Sequence, residues 1–184
     1  VTGRRNPNSR TAPIPSRCTQ AMNKLILTLG LFHWQALLSI GYAQSATELR
    51  TSIADTVSIM GEYEFVDMDA IGPGGTATTQ LNRFIYLLEN ATIEELLTLT
   101  NHDKRNVRAY AFWSLAIKRH NKIKQVLESK LTDNKLIRCR FNCTNITMPL
   151  NRFYLSVLNP ESKFIHGTTL TQAEILEFQS KMEK

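Results

Sequence analysis

The chain has 184 residues, of which 42% are hydrophobic and 21% charged, and a formal net charge of +6. That composition excludes a collagen-like, low-complexity or wholly disordered polymer. The basic excess does not point to nucleic acid: residues 1–43 hold five basic and no acidic residues, and the rest is nearly neutral, with 17 Lys and Arg against 16 Asp and Glu.

Residues 1–21 are rich in Pro, Ser, Thr, Asn and Arg and too poor in apolar side chains to fold, so they read as a disordered leader or an upstream mis-start. From Met22 the chain opens as a secretory signal peptide does. A short basic start, Met22-Asn23-Lys24, precedes an apolar run over residues 25–40, and Gly41 and Ala43 supply small residues for cleavage before Gln44. The run is broken by His33-Trp34-Gln35 and falls short of a clean membrane span, so no transmembrane anchor is expected after signal removal. Residues 44–184 then form the expected single domain.

Ser45 and Glu48 read as a capping box opening a helix whose inward face carries Leu49, Ile53, Val57 and Met60. Glycine-rich residues 72–79 lack the Lys-Ser or Lys-Thr ending of a phosphate loop and read as a connection. Leu81, Phe84, Ile85 and Leu88 mark a second amphipathic helix, and Thr92 with Glu95 a third. Asn101-His102-Asp103 makes a turn, with Asp103 expected to cap a helix over residues 104–118 that turns Val107, Tyr110, Ala111 and Leu115 inward. Thr171 with Glu174 opens a last helix with Ile175, Phe178 and Met182 on one face.

A phrase recurs at thirty residues: Asp103 with Val107-Arg108, then Asp133 with Ile137-Arg138, preceded by Ile93, Leu96 and Leu97 against Ile123, Val126 and Leu127. Asp103, Val107-Arg108, Ala111 and Leu115 resemble the second-helix start of short HEAT-like repeats, and residues 70–140 are similar to small exported bacterial proteins of that type. The resemblance implies an all-α fold, a short irregular α-solenoid of HEAT-like helix pairs closed by capping helices at both ends. It also implies that Asp103, Arg108, Asp133 and Arg138 are structural repeat positions bonding between units.

Charge is unevenly placed: residues 44–103 carry two basic and ten acidic residues, residues 104–140 eleven basic and two acidic. The blocks either complement each other inside the fold or leave an anion-binding face. Since Tyr110, Phe112 and Trp113 cannot all point one way from a helix, either Trp113 is exposed or all three fill inter-helix space. The first alternative gives a binding surface of Arg105, Arg108, Trp113, Lys118 and Arg119. Cys139 and Cys143 form a disulfide if the backbone there is irregular, and otherwise stay free. No serine-nucleophile motif, catalytic residue, metal site or cofactor is expected: His102 beside Asp103 reads as a turn residue and a cap as well as it reads as an acid–base pair, and His120 and His166 lack ligand spacing.

The expected function is therefore that of an exported helical-repeat interaction module in a Gram-negative cell envelope, periplasmic or secreted. It would bind another protein or an anionic envelope component, with no nucleic acid expected. The alternative is an envelope enzyme, hydrolase or lyase-like, on a HEAT-like scaffold.

Overall fold

In the computed structural model, which describes residues 48–69, 75–141, 144–162 and 167–183, helix α1 (Thr51–Gly61) buries Ile53, Val57 and Met60, the i, i+4, i+7 stripe of an amphipathic helix. The described residues lie in one compact unit, Ala46–Lys184. The leader read over residues 1–43, Ser45, residues 70–74, Cys143 and His166 lie outside them. Glu48 precedes the helix, whose N-cap is Arg50 without a side-chain cap. Arg50 instead gives its backbone N–H and its guanidinium to Glu95, tying the start of α1 to another helix.

Strand β1 (Phe65–Asp67) follows, then α2 (Thr79–Asn90) and α3 (Ile93–Leu99). On α2 the buried stripe is Gln80, Phe84 and Leu87, with Leu81 half-buried and Ile85 exposed. The helix is thus rotated from the face its apolar pattern suggested. The Gln80 amide donates to the Met60 carbonyl and so draws that polar position inward. At the head of α3, Thr92 and Glu95 form the reciprocal capping box.

Helix α4 (Arg105–Ile117) is the axis of the fold: every residue over 106–116 is buried. Phe84 stacks on Trp113 at 4.4 Å and on Tyr110 at 5.0 Å, while Phe112 packs on Tyr154 at 4.4 Å. A helix buried all round belongs in a core, not on one side of a solenoid. Its C-terminal carbonyl at Ala116 accepts from the Thr168 N–H at 2.9 Å. That approach requires Gly167, where a Cβ would stand 2.4 Å from the Ala116 oxygen.

After α5 (Ile123–Glu128) the chain leaves the helical pattern. Residues Leu136–Phe141 form β2 and Thr144–Pro149 form β3, giving a mixed sheet of order β1-β2-β3, with β2 parallel to β1 and antiparallel to β3. This sheet overturns the all-α solenoid: Ile137 and Arg138, read as repeat positions on a helix, lie on a strand. Period-two alternation explains the switch, because Ile137 and Cys139 are buried while Leu136 and Arg138 are exposed. The second copy of the phrase also lacks the alanine-rich run over residues 109–116 that makes α4 helical, and is followed by Thr, Asn and Ile.

Helix α6 (Leu150–Leu158) starts directly from β3 with Pro149 at its N-cap. Helix α7 (Gln172–Met182) opens on the Thr171–Glu174 capping box and buries Ile175 and Phe178.

Candidate functional site

One face of the sheet is packed, by Val66, Ile137 and Cys139. The opposite face is open and is built from side chains on β1, β2 and the turn before β1. The register sets Phe65 beside Arg138 and Asp67 beside Arg140, so alternate residues bring aromatic and guanidinium groups to one surface. The Arg138 guanidinium carbon lies 4.4 Å from the Phe65 ring centroid. That of Arg140 lies 5.1 Å from Phe65 and 5.9 Å from Tyr63, both within cation–π range.

Beneath this layer sits a fully buried carboxylate, Asp67. Arg140 donates to it twice, Nε to Oδ1 at 3.0 Å and Nη2 to Oδ2 at 2.9 Å, the fork geometry that fixes a guanidinium plane. The Thr78 hydroxyl donates to the same carboxylate and accepts from the Leu81 N–H at 3.0 Å, so the N-cap of α2 is pinned to β1. From below, the Tyr110 hydroxyl accepts from the Asp67 N–H at 2.6 Å and donates to its carbonyl at 3.3 Å. Burial holds that phenol well above the ordinary tyrosine range, and so neutral. Hydrogen bonding to Asp67 first, and to Tyr63 after it, raises Arg140 further above its already high value. Arg140 also donates to the Tyr63 hydroxyl at 2.8 Å. The result is a layer in which Arg140 is held by Asp67 and Tyr63, with Phe65 and Arg138 stacked beside it and reachable from solvent. Arg138 pairs with Glu64 at the rim.

An open cleft of about 450 Å³ shares Tyr63 and Glu64 with this cluster and is otherwise lined by residues that include Asp103, Arg105, Lys135 and Ile137. Among the described residues no three His, Cys, Asp or Glu side chains gather where a metal ion could be held.

The residues read from the sequence as a binding surface are not brought together. Trp113 is 4% exposed and stacked in the core, and Arg108 is buried. Arg105 borders the cleft at the start of α4, whereas Lys118 and Arg119 are exposed at the other end of that helix, about 20 Å away at 1.5 Å per residue. Arg108 spends its donors internally, on the His102 carbonyl at 2.9 Å, the Asp103 carbonyl at 3.2 Å and the Asp133 carboxylate. Val107 is buried against the core. Asp103 does not cap α4: the N-cap is Lys104, without a side-chain bond, and the Lys104 N–H is taken by His102 Nδ1 at 3.1 Å. Burial lowers His102 below the ordinary histidine range, as an accepting Nδ1 requires. Cys139 is a free, buried thiol pushed up to about 12 by burial.

The basic and acidic blocks meet face to face. Lys104 pairs with Glu62, Arg138 with Glu64 and Arg140 with Asp67. Asp67, Phe65 and Tyr63 went unread in the sequence. The alternation of Arg138 and Arg140 with Ile137 and Cys139 was the signal for a half-buried strand with a basic outer face.

No family model matches the sequence, and no curated protein does. Among solved structures the chain is similar to one chain of the Snu23-Prp38-MFAP1(217-258) complex of Chaetomium thermophilum, with a TM-score of 0.54 and 18% identity over 78% of this chain and 76% of that one. At that identity the likeness is one of fold. Neither the mixed sheet nor this likeness supports the HEAT-like, all-helical exported protein expected from the repeated phrase. No helix of the described residues is long and apolar enough to cross a membrane.

Proposed function

We propose that the chain is a protein-interaction module that offers the open face of its mixed sheet, Tyr63, Phe65, Arg138 and Arg140, to a partner protein. The observation that carries the reading is the Arg–aromatic layer fixed by buried Asp67. Arginine and large aromatic side chains dominate the anchoring positions of protein interfaces. Here Arg140 is already held by Asp67 before any partner arrives, which lowers the conformational cost of binding. The similar fold belongs to a chain of a complex named for three proteins, a setting in keeping with this reading.

The test uses a photo-crosslinking side chain at Thr147, which lies opposite Arg138 on β3, with and without Tyr63→Ala and Arg138→Ala. A discrete crosslinked protein that disappears in the double variant, with the melting point unchanged, is the expected result. Crosslinking of equal strength in both chains overturns the assignment of the face.

A further inference from the structure

The outer edge of β3 carries a second message, independent of the sheet face. Among the described residues no strand pairs with it: the order ends at β3. Residues 144–147 are exposed, and Ile146 retains 39% exposure. Natural edge strands are usually guarded by lysine, proline, a bulge or an inward charge. None of these guards residues 144–148, and the whole stretch 141–151 holds no charged residue in a chain that is 21% charged.

The direction of the free backbone groups follows from the ladder. The Leu150 N–H donates to the Lys135 carbonyl at 2.9 Å, one step beyond the Leu136–Pro149 pair. Bonded and non-bonded pairs alternate in an antiparallel ladder, so Thr144, Ile146 and Met148 spend their backbone groups on β2. Asn145 and Thr147 therefore turn N–H and C=O outward. The donation of the Met68 N–H to the Arg140 carbonyl at 2.9 Å agrees, since it leaves Arg138 and Arg140 facing β1 and the residues between them facing β3.

We infer that β3 pairs with β3 of a second copy of this chain, antiparallel about a twofold axis at Ile146. In that register Asn145 lies opposite the copy's Thr147 and Thr147 opposite its Asn145, so the outward N–H and C=O of both residues on both chains are satisfied by backbone bonds. Ile146 then faces its own symmetry mate in a non-bonded pair, where side chains approach closest, and its exposed apolar surface is covered. Pro149 has no N–H for the next outward position, which limits the ladder to this centre. No like charges meet, because the strand has none. A symmetric contact of this kind closes after two copies and does not propagate.

Sedimentation of the full chain across a range of concentrations tests the inference. The unmodified chain is expected to shift from one copy to two as concentration rises. Ile146→Lys and Ile146→Glu are each expected to remain single-copy, and their equal mixture to regain the two-copy species, because opposite charges then meet at the axis. Thr147→Pro removes an outward N–H without touching the β2 ladder and is expected to be single-copy with an unchanged circular dichroism spectrum. An unmodified chain that stays single-copy throughout overturns the inference. So does association equal in all variants, or a mixture of the Lys and Glu variants that stays single-copy. A β3 crosslink to a different protein from a single-copy chain gives the edge to that partner and overturns self-pairing.

Discussion

Arg108 and Asp133, one near the start of α4 and the other just before β2, form a partly buried ion pair: Nε lies 3.0 Å from Oδ2, and Nη2 donates to Oδ1 at 3.2 Å. It joins the two copies of the repeated phrase, yet in a fold where the first copy is helix and the second leads into a strand. Removing Asp133 leaves the buried Arg108 charge with only the His102 and Asp103 carbonyls as partners. Asp133→Ala is expected to lower the unfolding free energy by about 1–3 kcal/mol. A double Arg108→Met, Asp133→Leu variant should lose less than that single change, as read from urea midpoints.

Glu95 gives the chain an acid-sensitive joint. The hydrogen bonds of Arg50 hold its carboxyl down at about 2, against the opposing effect of burial. Its folded value is below the unfolded one, so its contribution is fully present above about pH 5 and is lost as pH falls toward 2. Urea unfolding near pH 7, about pH 4 and about pH 3 is expected to show a steeper decline for the unmodified chain than for Glu95→Gln. Glu174, also lowered to about 2 by Lys124 and the Thr171 cap, is present in both chains and cancels in the difference.

The Lys104 N–H just before α4 is taken by His102, while Asp103 caps nothing there, and the two substitutions separate these roles. Asp103→Ala is expected to change stability by no more than about 0.5 kcal/mol, as for other exposed positions. His102→Ala, which frees the Lys104 N–H, should cost about 1 kcal/mol, the size of one lost hydrogen bond. Because burial depresses His102, the folded state binds its proton less readily than the unfolded chain does. Stability from this group is therefore present above the ordinary histidine value and declines as pH drops below it. Thermal melts of both variants at neutral and mildly acidic pH check the order and the sign.

Phe84 fills the space between Tyr110 and Trp113, 5.0 Å from the first ring and 4.4 Å from the second. Phe84→Ala is expected to cost about 3–5 kcal/mol through lost burial and the cavity left behind. Indole emission, monitored during denaturation, should then change at lower denaturant with the same steepness.

Helices were legible wherever periodicity and caps agreed. The stripe of α1 and the boxes at Thr92 and Thr171 lie in the structure where their spacing set them. The sheet was not legible by the same means, because β1 is only three residues long and β2 contains Ile137-Arg138, which matched a helical phrase by identity and not by period. The alternation Ile137, Arg138, Cys139, Arg140 was present but was outweighed by the repeat. Trp113 was unreadable for a different reason. Its helix is enclosed by partners distant in sequence, Phe84 and Phe153 among them, and no local pattern reveals that a helix is covered on every side. The candidate face depends on Asp67 meeting Arg140 across 73 positions of chain, a closure that only the parallel pairing supplies.

The enclosure of α4 bears on how this protein can diverge. With no residue over 106–116 turned to solvent, nearly every change there disturbs packing, so that stretch should be the slowest to drift among descendants of the chain. The hairpin, by contrast, keeps its fold-bearing contacts on one face of two strands. Apart from Arg140, which must stay to neutralise Asp67, its other face and its edge are free to be rewritten, and new specificities can arise there while the ancestral core stays unaltered.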